Sequence, residues 1–280
     1  MNSDFLKTLD AAFTDEATAR RDALRKAGRL GGAAALAVTP LYAMASNVAE
    51  AKAEARPRRP GAARLRNPDV LNFALTLEYL EYFFYQEALD TENLIPDEAL
   101  NLVTTIRDHE EQHYILLRDA IADLDDGDPD IYESGDFDYT AAGVDPFASY
   151  ENFLLLAQAF EDTGVRAYKG QAPELQGTAF LTVALQIHSV EARHAAAIRR
   201  LRENEGWIPL DQPGAPAAIA PVYGPGEMFP SEANTTQAGV DLVAALPDYT
   251  PEEISAAFDE ALEMGPVLNI AGPFITGSPD

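Results

Sequence analysis

The chain contains no cysteine. That absence excludes disulfides, thiolate zinc sites and Cys-ligated iron–sulfur clusters. Any metal must be held by carboxylate and imidazole, a ligand set that suits iron, manganese or zinc. Positive charge is also scarce over most of the chain. Residues 67–280 carry 8 Lys/Arg against 39 Asp/Glu, whereas residues 1–66 carry 12 against 7, so the formal net charge of −26 originates entirely after residue 66. Such a surface repels nucleic acid and anionic membranes, and no nucleic-acid partner is expected. Long hydrophobic runs are lacking as well. The one extended apolar stretch, Leu30 to Ala45, is interrupted by Pro40 and two glycines, which argues against a stable membrane span. The acidic stretch Asp123–Asp130 lacks the spacing of an EF-hand calcium loop, having no Glu at the required distance after its glycine, and reads as a solvated loop.

What is present falls into four parts. Residues 1–50 contain Ala19-Arg20-Arg21-Asp22-Ala23-Leu24-Arg25. This resembles a twin-arginine export signal, with Ala19 where Ser or Thr is usual and Ala23 where an aromatic is common. Ala43-Met44-Ala45 supplies a small-x-small cleavage candidate. The alternative is an ordinary N-terminal amphipathic helix. The expected location is periplasmic or exported, or cytoplasmic if the signal reading fails. Residues 51–66 form a basic linker with Pro57, Pro60 and Gly61.

Residues 67–205 hold four long segments of helical periodicity, expected at about 68–91, 96–124, 146–169 and 178–204, the last stopped by Gly206. Asn67-Pro68 reads as a helix start. Short turns join the first pair and the second pair, the latter through Gly170 and Pro173, so each pair should be an antiparallel hairpin. A longer segment, about 125–145, joins the hairpins and has the length to cross the bundle from end to end. Short, long, short is the connectivity of ferritin-like bundles, and the expected fold class is all-α. Residues 206–280 are Pro- and Gly-rich, with one short helix expected near 252–264, and read as an extension wrapping the bundle.

In every helix a Glu interrupts an otherwise apolar stripe: Glu78 after Leu71 and Leu75, Glu110 after Val103 and Ile106, Glu161 after Leu154 and Ala157, Glu191 after Ala184 and Ile187. Buried carboxylates without partners are costly or are forced to protonate. Two of the four open a Glu-x-x-His unit, Glu110-x-x-His113 and Glu191-x-x-His194, which places both side chains on one helix face one turn apart. Four carboxylates neutralise two divalent cations, with the two histidines as neutral terminal ligands. The halves repeat. Glu78 precedes Tyr85 by the same interval as Glu161 precedes Tyr168, and the Glu-x-x-His unit follows 32 residues after Glu78 and 30 after Glu161. Approximate two-fold symmetry follows, with one metal near each histidine. Glu81, one turn beyond Glu78, is a rival or additional ligand. Tyr85 and Tyr168 are candidate donors to the ligating carboxylates, with aromatic core packing as the alternative. His109 and His188 fall off the stripe and are expected on outer or packing faces, Arg193 toward solvent. Asp108 and Asp162 sit beside ligand positions but face elsewhere on their helices.

The pattern Glu, Glu-x-x-His, Glu, Glu-x-x-His resembles the di-iron motif of the ferritin-like superfamily. Leu77-Glu-Tyr-Leu-Glu81, Phe160-Glu-Asp-Thr-Gly-Val165 and Val190-Glu-Ala-Arg-His194 resemble the exported bacterial ferritin-like domain family related to desiccation-related proteins, and the tail Ala271-Gly-Pro-Phe-Ile275 looks familial. The resemblance implies a dinuclear iron centre and ferroxidase-like chemistry, oxidation of Fe(II) by dioxygen or peroxide. A dimanganese catalase-like enzyme and a non-catalytic, stress- or desiccation-associated structural protein are the alternatives. A homo-oligomer is compatible with all three.

Overall fold

The computed structural model describes residues 67–212, 215–224 and 230–279. The export signal and basic linker expected before residue 67 lie outside the described residues. Four long helices dominate: α1 (Asn67–Asp90), α2 (Asp97–Ala122), α3 (Tyr150–Gln171) and α4 (Phe180–Leu201). Helix α1 packs along α2, and α3 along α4, giving two hairpins whose inner faces form an all-α four-helix bundle. No helix among the described residues is long and apolar enough to cross a membrane.

The helix ends differ from the sequence expectations for identifiable reasons. Helix α3 begins at Tyr150 rather than near residue 146 because Ser149 caps it, its hydroxyl accepting from the Asn152 amide at 3.2 Å. Helix α4 stops at Leu201, well before Gly206, and Glu203 takes a left-handed conformation at φ 60°. Gly170 is helical, not part of the turn. A Cβ there would lie 1.7 Å from the Leu262 carbonyl oxygen, so its missing side chain admits the C-terminal extension to the helix backbone.

The segment between the hairpins does more than span them. Its acidic start is largely exposed, but Tyr132, Phe137 and Tyr139 are buried. The Tyr139 hydroxyl donates to the Leu80 carbonyl at 2.9 Å, and its ring meets Phe84 edge-on. Phe84 in turn contacts Phe153 and Phe160 of α3. This aromatic cluster ties the crossover to both hairpins.

Beyond α4 the chain wraps the outer side of α3. It includes a short 3-10 turn (Ala220–Tyr223), a two-residue ribbon of β1 (Thr236–Gln237) with β2 (Val240–Asp241), and helices α5 (Leu242–Ala245), α6 (Pro251–Ser255) and α7 (Met264–Ala271). The single helix expected near 252–264 is therefore broken. Arg166 of α3 explains the break: its backbone carbonyl accepts from the Leu262 amide at 3.0 Å, and its Nε donates to the Glu260 carbonyl at 2.8 Å, taking up groups a continuous helix would need. With the bundle on one side and this extension on the other, α3 is buried all round from Phe153 to Tyr168.

Candidate metal centre

The mid-helix glutamates meet at one level of the bundle. Glu78, Glu110, Glu161 and Glu191 each have 0% exposure, and His194 has 5%. His113 Nδ1 lies 3.1 Å from Glu78 Oε2, 2.9 Å from Glu110 Oε2 and 3.3 Å from Glu191 Oε1. His194 Nδ1 lies 2.8 Å from Glu110 Oε1 and 3.4 Å from Glu161 Oε2. The donor atoms fall into two constellations, Glu78–Glu110–His113–Glu191 and Glu110–Glu161–Glu191–His194, each with all ligand atoms within 4.8 Å of one another. Glu110 and Glu191 belong to both. Glu81 is buried but belongs to neither.

The tyrosines cross between the halves. Tyr85 of α1 donates to Glu161 Oε1 of α3 at 2.5 Å, and Tyr168 of α3 donates to Glu78 Oε1 of α1. Each hydroxyl binds one oxygen of a terminal carboxylate and leaves the other directed at the cluster. Such donors orient ligands and set their basicity. Gly164 supplies room: a Cβ there would lie 3.3 Å from both Glu191 Oε2 and Glu81 Oε1.

The centre's electrostatics are those of lone pairs forced together. Glu110 Oε1, Glu161 Oε2, both oxygens of Glu191 and His194 Nδ1 are buried with no hydrogen-bond partner. His194 Nδ1 and Glu110 Oε1 approach closely without hydrogen-bond geometry. Burial pushes the Glu110 carboxyl up to about 7 against the opposing bond of His113 and the close approach of His194. Burial, then the Glu110 charge, holds Glu191 well above the carboxylate range, and burial with the charges of Glu191 and Glu161 does the same to Glu81. Glu78 is shifted down although burial opposes it, because His113 and the Tyr168 hydroxyl favour its charged form. His194 rises to about 11 although burial works to lower it, driven by the charge of Glu161 and the contact with Glu110, and His113 is raised by Glu78, Glu110 and Glu191 in the same way. Orphaned oxygens converging on two centres, flanked by one imidazole nitrogen each, fit two divalent cations.

Other histidines and acids stand as follows. His109, expected on an outer or packing face, packs across to α4 beside the site and belongs to neither constellation. Its Nδ1 is 2.9 Å from His194 Nε2, with the rings stacked at a centroid distance of 5.2 Å. It sits one residue before Glu110, so its backbone direction differs from the ligand stripe, but its side chain reaches across to α4. Spacing along α2 alone does not reveal that contact, which depends on how α4 is placed. His188 is half-buried with its Nδ1 lacking a hydrogen-bond partner, Asp108 pairs with Arg107, and Arg193 is exposed. Asp162 turns away from the cluster to Arg199, and accepts from the Tyr223 hydroxyl at 2.8 Å.

Buried carboxylates and paired Glu-x-x-His units in a four-helix bundle form a carboxylate–histidine cluster of a kind that could bind metal. Residues 66–204, just under half of the chain, match the family model of the ferritin-like domain. Together with the bundle and its connectivity, this match supports placing the region in the ferritin-like superfamily. No curated protein matches the chain.

Proposed function

We propose that the chain is a dinuclear metal protein whose metals are iron and whose activity is oxidation of Fe(II) by dioxygen or peroxide. The observation that carries this reading is the pair of four-residue constellations sharing Glu110 and Glu191. Glu78 and His113 would hold one ion, Glu161 and His194 the other, with Glu110 and Glu191 shared between them. Iron in such a site supplies reversible one-electron chemistry toward an oxidant. The chain's own residues do the rest. Tyr85 and Tyr168 fix the terminal carboxylates, Glu81 provides a further carboxylate beside Gly164, and the surrounding apolar helices exclude water.

Two measurements test this. Chain isolated from its native host should contain about two irons, and added Fe(II) should be oxidised with consumption of dioxygen or peroxide. Glu110→Ala should lose both ions, because Glu110 serves both constellations, whereas Glu78→Ala should lose one. Two manganese ions with peroxide disproportionation would instead favour a catalase-like reading. Retention of biological function by metal-free Glu110→Ala and His194→Ala variants would favour a structural, desiccation-associated role.

The twin-arginine-like segment supports export of the chain already folded and loaded, so that the metal is selected in the cytoplasm. Finding the mature protein only in the cytoplasm would remove that part of the reading.

A further inference from the structure

The two hairpins repeat the parts of the centre, so each ion position can be compared with its counterpart in the other half. Most parts match. Glu78 corresponds to Glu161, and Glu110-x-x-His113 to Glu191-x-x-His194. Each terminal carboxylate accepts from one tyrosine hydroxyl, Glu78 from Tyr168 and Glu161 from Tyr85. Glu110 and Glu191 serve both positions. None of these parts favours one ion over the other.

Two pairs do not match. Glu81 corresponds to Gly164, and its Oε1 stands beside Glu191 in the space that the glycine leaves. Glu191 is shared, so Glu81 does not separate the two ions. His109 corresponds to Val190, each one residue before the Glu of its Glu-x-x-His unit, and this pair does separate them. His194 turns Nδ1 toward Glu110 and Nε2 toward His109, whose Nδ1 lies 2.9 Å away with the two rings 14° from parallel. The far nitrogen of this ligand therefore has a fixed partner. An acceptor in that place holds the ring in orientation and makes it the more basic ligand. Among the described residues, the hydrogen bonds and ion pairs of His113 all run through Nδ1, to Glu78, Glu110 and Glu191. Its side chain is 11% exposed against 6% for His194, and the isopropyl group of Val190 accepts no hydrogen bond.

We propose that the position at His194 holds a resident ion and that the position at His113 is the exchangeable one, where the Fe(II) consumed in the oxidation is taken up and its product released. The assignment rests on the dinuclear reading given above.

The test uses the full chain loaded with Co(II). Cobalt is withdrawn with EDTA and followed by its visible absorbance, and crystals treated in the same way are measured at the cobalt absorption edge. One ion should leave about 10–100-fold more slowly than the other. The peak that persists should lie among Glu110, Glu161, Glu191 and His194. His109→Ala should release both ions at the fast rate while circular dichroism shows the helices intact, and His109→Gln, which restores an acceptor, should bring back a slow phase. The proposal is overturned if the two ions leave the wild-type chain together, if the persisting peak lies at His113, or if His109→Ala leaves the slow phase unchanged or speeds both phases alike. A wild-type chain that takes up no cobalt would overturn the dinuclear reading itself, and this assignment with it.

Discussion

At the scale of single residues, the centre depends on side chains that bind no metal themselves. Gly164 is a glycine in the interior of a buried helix, which costs about 1 kcal/mol relative to alanine. The cost is explained by the two carboxylate oxygens that stand 3.3 Å from where its Cβ would be. Gly164→Ala should therefore keep or raise the thermal stability of the metal-free chain while weakening metal binding, checked by a melting curve beside a metal titration. Unchanged affinity would contradict the role assigned to that space. His109 acts differently. If His194 Nδ1 faces a cation, the proton of a neutral ring sits on Nε2 and is donated to His109 Nδ1. The corresponding position in the other half, before Glu191, is Val190, which has nothing to offer a histidine. The two ion positions are thus held unequally. His109→Ala should weaken one of two binding steps about 10–100-fold and spare the other, and His109→Gln, which restores an acceptor, should recover part of the loss. Equal weakening of both steps would contradict this.

At the scale of elements, the extension after α4 is fastened to α3 by buried charge. Arg166 is 0% exposed and pairs with Glu232 Oε1 at 2.6 Å, while its guanidinium also donates to the Val222, Pro230 and Glu260 carbonyls. Burial pushes the Glu232 carboxyl up to about 8 even with Arg166 beside it. A second clamp joins Arg199 of α4 to Asp162 of α3 and to Gln212 at 2.6 Å. Removing one member of a buried pair strands the other, a loss of about 3–5 kcal/mol. Arg166→Met should destabilise by that amount in urea unfolding and expose residues 206–280 to proteolysis, and Arg166→Met with Glu232→Met should recover much of the loss. These clamps were the least legible part of the sequence. They join residues far apart in the chain, so no periodicity announces them, and Asp162 and Arg166 look like ordinary polar positions on a helix with a solvated face. That face exists only until the extension covers it.

At the scale of the whole molecule, the bundle was legible because two signals agreed: apolar stripes of helical period, and connections that run short, long, short. Glu78, Glu110, Glu161 and Glu191 could be picked out because each breaks such a stripe, and the structure brings all four to one level with His113 and His194. His109 could not, because its contact is set by the packing of one hairpin against the other. The buried cluster leaves five oxygen or nitrogen atoms without hydrogen bonds, an arrangement that needs protons or cations at its centre. The direct test is anomalous diffraction from crystals of the chain loaded with Fe(II) or Mn(II). The account predicts two peaks, one among Glu78, Glu110, His113 and Glu191 and the other among Glu110, Glu161, Glu191 and His194. A folded chain showing no peak there, or a single peak away from Glu110 and Glu191, would contradict it.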